Sequence, residues 1–170
     1  RHADKSGILS EVRDKVDNYR DFVEKYMRDF YSIGGMIIFP QHRFSLNCAR
    51  GCNKRICDRW DLTLECIRRF YQGIESPLSK SLNRDKDFFN LFVDFKGYVD
   101  FFFLQDCVDE DYTHVNLWLG SEYFERNPFP HNAEEYLGWI NKEYDFLKKR
   151  NLRIMKFCHS SSVHKAQQKK

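Results

Sequence analysis

From position 8 to position 30 the apolar residues Ile8, Val12, Val16, Tyr19, Val23, Tyr26 and Phe30 return every three or four positions, with acidic and basic residues between them. Side chains so spaced share one face of an α-helix. The chain therefore predicts one long amphipathic helix over 8–30, whose apolar stripe must find a core to cover it. The rest of the sequence can supply one: 42% of the 170 residues are hydrophobic and 16 are Phe, enough for a single self-sufficient domain. Gly34-Gly35 end the helix, and the apolar run Met36-Ile37-Ile38-Phe39 before Pro40 reads as a short buried strand. His114-Val115-Asn116-Leu117-Trp118-Leu119 alternates polar and apolar, which reads as a second strand pairing with the one around Ile37.

Helices are predicted over 56–72, over 84–95 with Phe88, Leu91, Phe92 and Phe95 on one face, and over 98–108, with Gly97 as the interruption. Asn132, with Glu135 three residues on, opens a last helix whose apolar face is Tyr136, Leu137, Ile140, Tyr144 and Leu147. The expected fold is α+β: a mainly helical single domain over 1–158 with a small β-sheet of short strands, followed by a basic, mobile tail over 159–170 rich in Ser, Gln and Lys.

The longest apolar run, 98–104, is interrupted by Asp100, so the sequence offers no membrane span and predicts a soluble, intracellular protein. Six cysteines are present, but a core this rich in Phe, Leu and Ile does not need disulfides, and reduced thiols are expected. Charge is arranged in blocks. No acid follows Asp145, whereas Lys148, Lys149, Arg150, Arg153, Lys156, Lys165, Lys169 and Lys170 are all basic. A second acid-free stretch, 30–57, holds Arg43, Arg50, Lys54 and Arg55, which leaves the remainder acidic.

The segment from Asn47 to Tyr71 carries the candidate chemistry. On a helical wheel, Asp58, Asp61, Glu65, Arg68, Arg69 and Gln72 fall within about 100° of one another, opposite Trp60, Leu64, Cys66, Ile67, Phe70 and Tyr71. Arg59 and Thr63 break this division, because they stand one turn apart on the apolar side. An Arg is rarely buried without a partner. Either Arg59 joins Asn47 and Arg50 in a cleft that binds an anion such as phosphate, or it pairs with a core acid such as Asp94, Asp100 or Asp106. Asp58, Asp61 and Glu65 suit a divalent cation by spacing, but equally a solvated face with acids near the helix start and a Glu65–Arg69 surface pair. Cys48, Cys52 and Cys57 with His42 lack the paired spacing of a zinc site, so no metal is expected.

Gly34-Gly35 with Phe39-Pro40, Asn47, Arg50-Gly51, Asp58-Arg59, Asp61 through Arg69 with Tyr71, Ser76-Pro77-Leu78, Asp94-Phe95, Gly97-Tyr98, Asp100-Phe101-Phe102, Leu104-Gln105-Asp106, Arg150-Asn151 and Arg153-Ile154 resemble an uncharacterised bacterial domain-of-unknown-function family. The resemblance covers about 34–154. It implies a bacterial, cytosolic protein with a further segment before the part given, and it implies no established activity or cofactor.

Two functions follow as expectations. In the first, the domain binds or processes a phosphate-bearing ligand, a nucleotide or RNA, with Asn47, Arg50, Arg59 and Arg68 as anion contacts and Asp58, Asp61 and Glu65 as polar or acid/base groups. In the second it is a non-catalytic protein-interaction or structural module whose Arg/Asp motifs are core ion pairs. The basic tail adds weak, sequence-independent nucleic-acid binding as a further expectation.

Overall fold

The computed structural model describes residues 7–36, 59–125 and 129–167. The predicted 8–30 helix is two helices, α1 (Ile8–Lys15) and α2 (Tyr19–Phe30). Val16 turns extended, and the Asn18 side chain caps α2 by accepting from the Asp21 N–H at 3.2 Å. The apolar repeat runs straight through this break, but Asn competes with helix-interior backbone bonds and favours the cap. The two pieces meet different stretches of one long helix: Ile8 and Val12 pack with Ala133, and Tyr26 reaches Glu143.

After a 3-10 turn (Ile33–Gly35), the described chain resumes at α3 (Trp60–Tyr71), then α4 (Ser79–Arg84), α5 (Lys86–Asn90), α6 (Phe95–Phe101), a second 3-10 turn (Gln105–Cys107), the short α7 (Glu122–Glu125) and the long α8 (Ala133–Gln167). Helix α8 is the spine, in contact with α1, α2 and both 3-10 turns, while α3 packs against α4 and α6. The main core gathers Leu62, Leu64, Ile67, Leu78, Leu82, Phe89, Tyr98 and Leu147. Ring-to-ring contacts line it, among them Tyr98–Phe102 at 4.8 Å and Phe70–Phe89 at 5.3 Å, both tilted at 53° and within the centroid distances of favourable aromatic pairs.

The α+β expectation is overturned. Among the described residues the extended pairing is a single antiparallel bridge between Val108 and Val115, and no sheet forms. Residues 37–39 of the first predicted strand lie outside the described residues. Around that bridge His114 and Asn116 bond to Asp109 and Cys107 through backbone groups, but at Trp118 the segment is held in another way. The Trp118 N–H donates to the Asp61 carboxylate at 2.8 Å, and its carbonyl accepts from Lys142. Side chains of α3 and α8 thus satisfy the backbone groups that a ladder would otherwise need.

The 84–95 and 98–108 predictions also shift. Val93 and Phe103 adopt positive φ, 68° and 56°, and divide that stretch into short helices. Leu91, placed on a buried face by the wheel, is 73% exposed, and Phe89 is buried instead. Gly97 does not interrupt a helix. It lies in the first turn of α6 and donates its N–H to the capping Asp94 carboxylate at 2.7 Å.

Gly34 and Gly35 sit in the 3-10 turn that docks on α8. A Cβ at Gly35 would stand 1.7 Å from the Phe30 carbonyl oxygen, so any side chain there forces the backbone apart. Gly35→Ala is expected to lower stability by about 1–3 kcal/mol, as overpacking does. Gly138, inside α8 with nothing within 4 Å of such a Cβ, should respond oppositely, with Gly138→Ala gaining up to about 1 kcal/mol of helix propensity. Urea unfolding of both variants checks the contrast; equal shifts of the same sign would refute it.

Candidate functional site

Arg59 is the N-cap residue of α3, in extended geometry. From there its side chain folds back onto the first turn, with Nε 3.1 Å from Asp61 Oδ1 and Nη2 2.5 Å from Oδ2. The pair is almost completely out of water, at 1% and 0% exposure. The sequence placed Arg59 inward, and the structure agrees. The acid it meets is Asp61, two residues away, not Asp94, Asp100 or Asp106. Those three serve other groups: Asp94 caps α6, Asp100 accepts from Lys96, Gln105 and Tyr112, and Asp106 forms a two-bond pair with Arg153.

The guanidinium of Arg59 also faces aromatic rings, 5.7 Å from the centroid of Tyr123 and 6.0 Å from that of Trp139. Both distances are within reach of a cation–π attraction. One turn beyond Trp139 on α8 is Glu143, wholly buried. Its Oε2 accepts from the Tyr26 hydroxyl at 2.7 Å, whereas its Oε1 and the Trp139 indole N–H have no hydrogen-bond partner among the described residues. Burial pushes the Glu143 carboxyl up to about 7; the Tyr26 hydrogen bond opposes this, the nearby Asp61 charge adds to it, and Arg59 opposes it.

A second cluster lies further along α3. Glu65 accepts from Arg68 Nε at 2.7 Å, Arg68 Nη2 at 2.9 Å and Arg69 Nε at 2.8 Å. Burial pushes the Glu65 carboxyl up, but the two guanidinium groups outweigh it and hold it below the ordinary value. The Glu65 hydrogen bonds likewise raise Arg68. Arg68 Nη1 reaches the Gln72 side chain at 2.8 Å and the Thr113 carbonyl at 3.1 Å, and Arg69 lies 4.2 Å from the Phe124 ring centroid. The face that the wheel assigned to solvent is therefore covered in its first half: Asp61 and Glu65 are both buried, while Gln72 at its end is exposed.

Of the sequence-predicted site residues, Arg59 with Asp61 and Glu65 with Arg68 are brought together as ion pairs. Asn47, Arg50 and Asp58 lie outside the described residues, as do Cys48, Cys52 and Cys57. Among the described residues no three metal-ligating side chains converge, and no helix is long and apolar enough to cross a membrane. Cys107 is a buried thiol whose pKa burial drives upward.

Sequence reasoning missed the α8 side of this centre. Glu143 and Arg150 both fall on the apolar stripe of Ile140 and Leu147, the same signal that singled out Arg59. Arg150 is not at a helix end but inside α8, 3% exposed. It donates to three backbone carbonyls: Phe102 at 2.9 Å, Gly34 at 2.6 Å and Met36 at 2.7 Å. Asn151 completes the clamp, accepting from the Gly34 N–H at 2.8 Å and donating to Ser32 Oγ at 2.7 Å. Together they tie the first 3-10 turn and the end of α6 to the spine.

No curated protein and no solved structure matches the chain. The residues quoted above as a family pattern include those that build this interior: the Arg59–Asp61 pair, the Glu65 cluster and the Arg150-Asn151 clamp. They fall within residues 2–154, over which the chain matches the sequence model of DUF6994, and the protein belongs to that family of unknown function.

Proposed function

We propose that the domain is a non-catalytic protein-interaction module, in which the Arg/Asp/Glu motif of α3 is internal framework and partners are met by apolar side chains on the outside. The observation that carries this reading is that the charges of the α3 motif are paired inside the protein while several large apolar side chains stand outside its apolar core. Arg59 and Asp61 are 1% and 0% exposed, while Leu91, Val93, Phe101, Leu152, Met155 and Phe157 each expose more than half of their surface. Paired charges inside and large apolar groups outside suit a surface that docks on another protein.

Among the described residues of the predicted anion site, a phosphate-bearing ligand would take Arg68 and Arg69 from Glu65, or Arg59 from Asp61. Each exchange gives up a charge-assisted pair already made inside the protein.

The test is thermal unfolding of the full chain with inorganic phosphate, ATP and a single-stranded RNA oligonucleotide. No stabilisation is expected, although a ligand at 100 times its Kd would contribute about 2.7 kcal/mol. A stabilisation of that size that disappears in Arg68→Ala would replace the interaction reading with the phosphate one.

A further inference from the structure

Helix α8 outlasts the body it supports. From Met155 to position 160 every residue is exposed, and the helix continues to Gln167, about 20 Å of helix at 1.5 Å per residue. A helix with little packed against it is marginal in water, and over 155–160 the ring contact of Phe157 with Phe103 is an anchor that the described residues show. At 100° per residue, Met155, Lys148, His159, Leu152, Lys156 and Lys149 fall, in that angular order, within about 120° of one another. Arg150, Ile154 and Phe157 lie on the opposite side, where Phe157 meets the Phe103 ring at 5.5 Å and Arg150 is buried. The outer arc thus carries two exposed apolar residues, Leu152 at 55% and Met155 at 54%, with Lys148 and His159 between them and Lys156 and Lys149 along one side.

From Lys148 onward the charge on this arc is one-sided, with the exposed Asp145 one turn earlier as its boundary. No acid follows Asp145 in the sequence. Arg150 is spent on backbone carbonyls and Arg153 is neutralised by Asp106, while Lys149 and Lys156 are in no ion pair among the described residues, and Lys148 leans on the Tyr144 ring, 4.3 Å from its centroid. A second copy of the same arc would bring lysines against lysines, which opposes self-association through this face. Phosphates of a nucleic acid would answer the lysines but leave Leu152 and Met155 uncovered. An acidic amphipathic helix answers both: apolar residues cover the centre and carboxylates meet the flanking lysines.

We propose that the outer arc of α8, centred on Leu152 and Met155, docks an acidic amphipathic helix of a protein partner. This rests on the interaction-module reading and names the surface and the chemistry of the partner.

The probe is a synthetic peptide of about 20 residues, roughly 30 Å as a helix, with Leu at i, i+3, i+4 and i+7 and Glu at most other positions. Its binding to the full chain is followed by fluorescence anisotropy beside a scrambled peptide of the same composition, a single-stranded RNA and anionic phospholipid vesicles. The amphipathic peptide should bind at least about tenfold more tightly than the scrambled one, and Leu152→Ser with Met155→Ser should cost about tenfold or more, as loss of central apolar anchors does. Lys149→Glu with Lys156→Glu should weaken binding and flatten its salt dependence. Circular dichroism melts confirm that these exposed positions leave the fold intact.

Equal binding of the scrambled peptide, or RNA or vesicle binding that survives the Leu152 and Met155 changes, would reduce the arc to a charge patch and overturn the proposal. So would failure to bind the amphipathic peptide in low salt. If that happens while phosphate and ATP still leave the melting curve unmoved, only this surface is rejected, and the interaction-module reading stands.

Discussion

Arg59→Ala is expected to lower the folding stability of this domain by about 3–5 kcal/mol, the usual effect of removing one partner from a buried ion pair. The reason is what it leaves behind. The Asp61 carboxylate is 0% exposed, and without Arg59 the Trp118 N–H is a small return for a desolvated charge. The aromatic packing of Tyr123 and Trp139 on the guanidinium is lost with it. A double change that removes both charges and keeps the volume, Arg59→Met with Asp61→Leu, should be far less costly, because an apolar pair carries no desolvation penalty. It still orphans the Trp118 N–H, so a residual loss of about 1–3 kcal/mol remains. Urea unfolding of the three proteins decides the matter: a single variant no less stable than the parent would mean that the pair does not hold the core.

Glu143 is expected to make stability fall as pH rises. Its carboxyl has an ordinary value of 4.5 and is pushed up to about 7 in the folded protein, so the folded state favours the neutral acid. Below about pH 4.5 both states hold the proton and the contribution of the group is complete. Between 4.5 and 7 the unfolded chain gives up its proton while the folded one keeps it, and stability drains away. Above 7 the loss levels off at about 3 kcal/mol, taking 1.36 kcal/mol per pH unit.

The groups around this carboxyl are Tyr26 from α2, Asp61 and Arg59 from α3 and its N-cap, and Tyr136 on α8 near Tyr26. The tyrosines are pushed upward and do not titrate in this window. Other carboxyls change the absolute curve, so the measurement is a difference: chemical unfolding of parent and Glu143→Gln from pH 4 to 8. The amide keeps an acceptor for Tyr26 and carries no charge at any pH. The parent should lose about 3 kcal/mol relative to the variant across the range, and parallel curves would refute the assignment.

Much of the helical framework was legible in the sequence. The apolar repeats locate α1, α2, α3 and the start of α8, because a helix must show its period wherever one face is buried. The misfit of Arg59 on the apolar side of α3 also pointed to its burial with a charged partner, leaving open whether that partner was a bound anion or a core acid, and the acid is Asp61. What periodicity conveys, however, is which residues share a face, and not what covers that face. The wheel grouped Asp61 with Glu65 correctly and sent them to solvent, since nothing local records that Trp118 and Thr113, about 50 residues away in the chain, close over α3.

The same limit explains the missing sheet. Alternation from His114 to Leu119 describes side chains pointing to two sides of an extended segment, and it is silent on what takes the backbone hydrogen bonds. Here the Asp61 and Lys142 side chains take them at Trp118. Local composition likewise gives no warning of positive φ at Val93 and Phe103, where a chain of ring contacts joining Phe88, Phe92, Tyr98, Phe102 and Phe101 offsets a backbone conformation that costs an L-residue energy. The sequence alone thus located α1, α2, α3 and the start of α8, and marked Arg59 as a charge out of place on α3. Only the tertiary structure decided the partners, because hydrogen bonds and ion pairs such as those of Asp61, Glu143 and Arg150 are made between segments far apart in the chain, and their free energy depends on a burial that exists only once those segments have met.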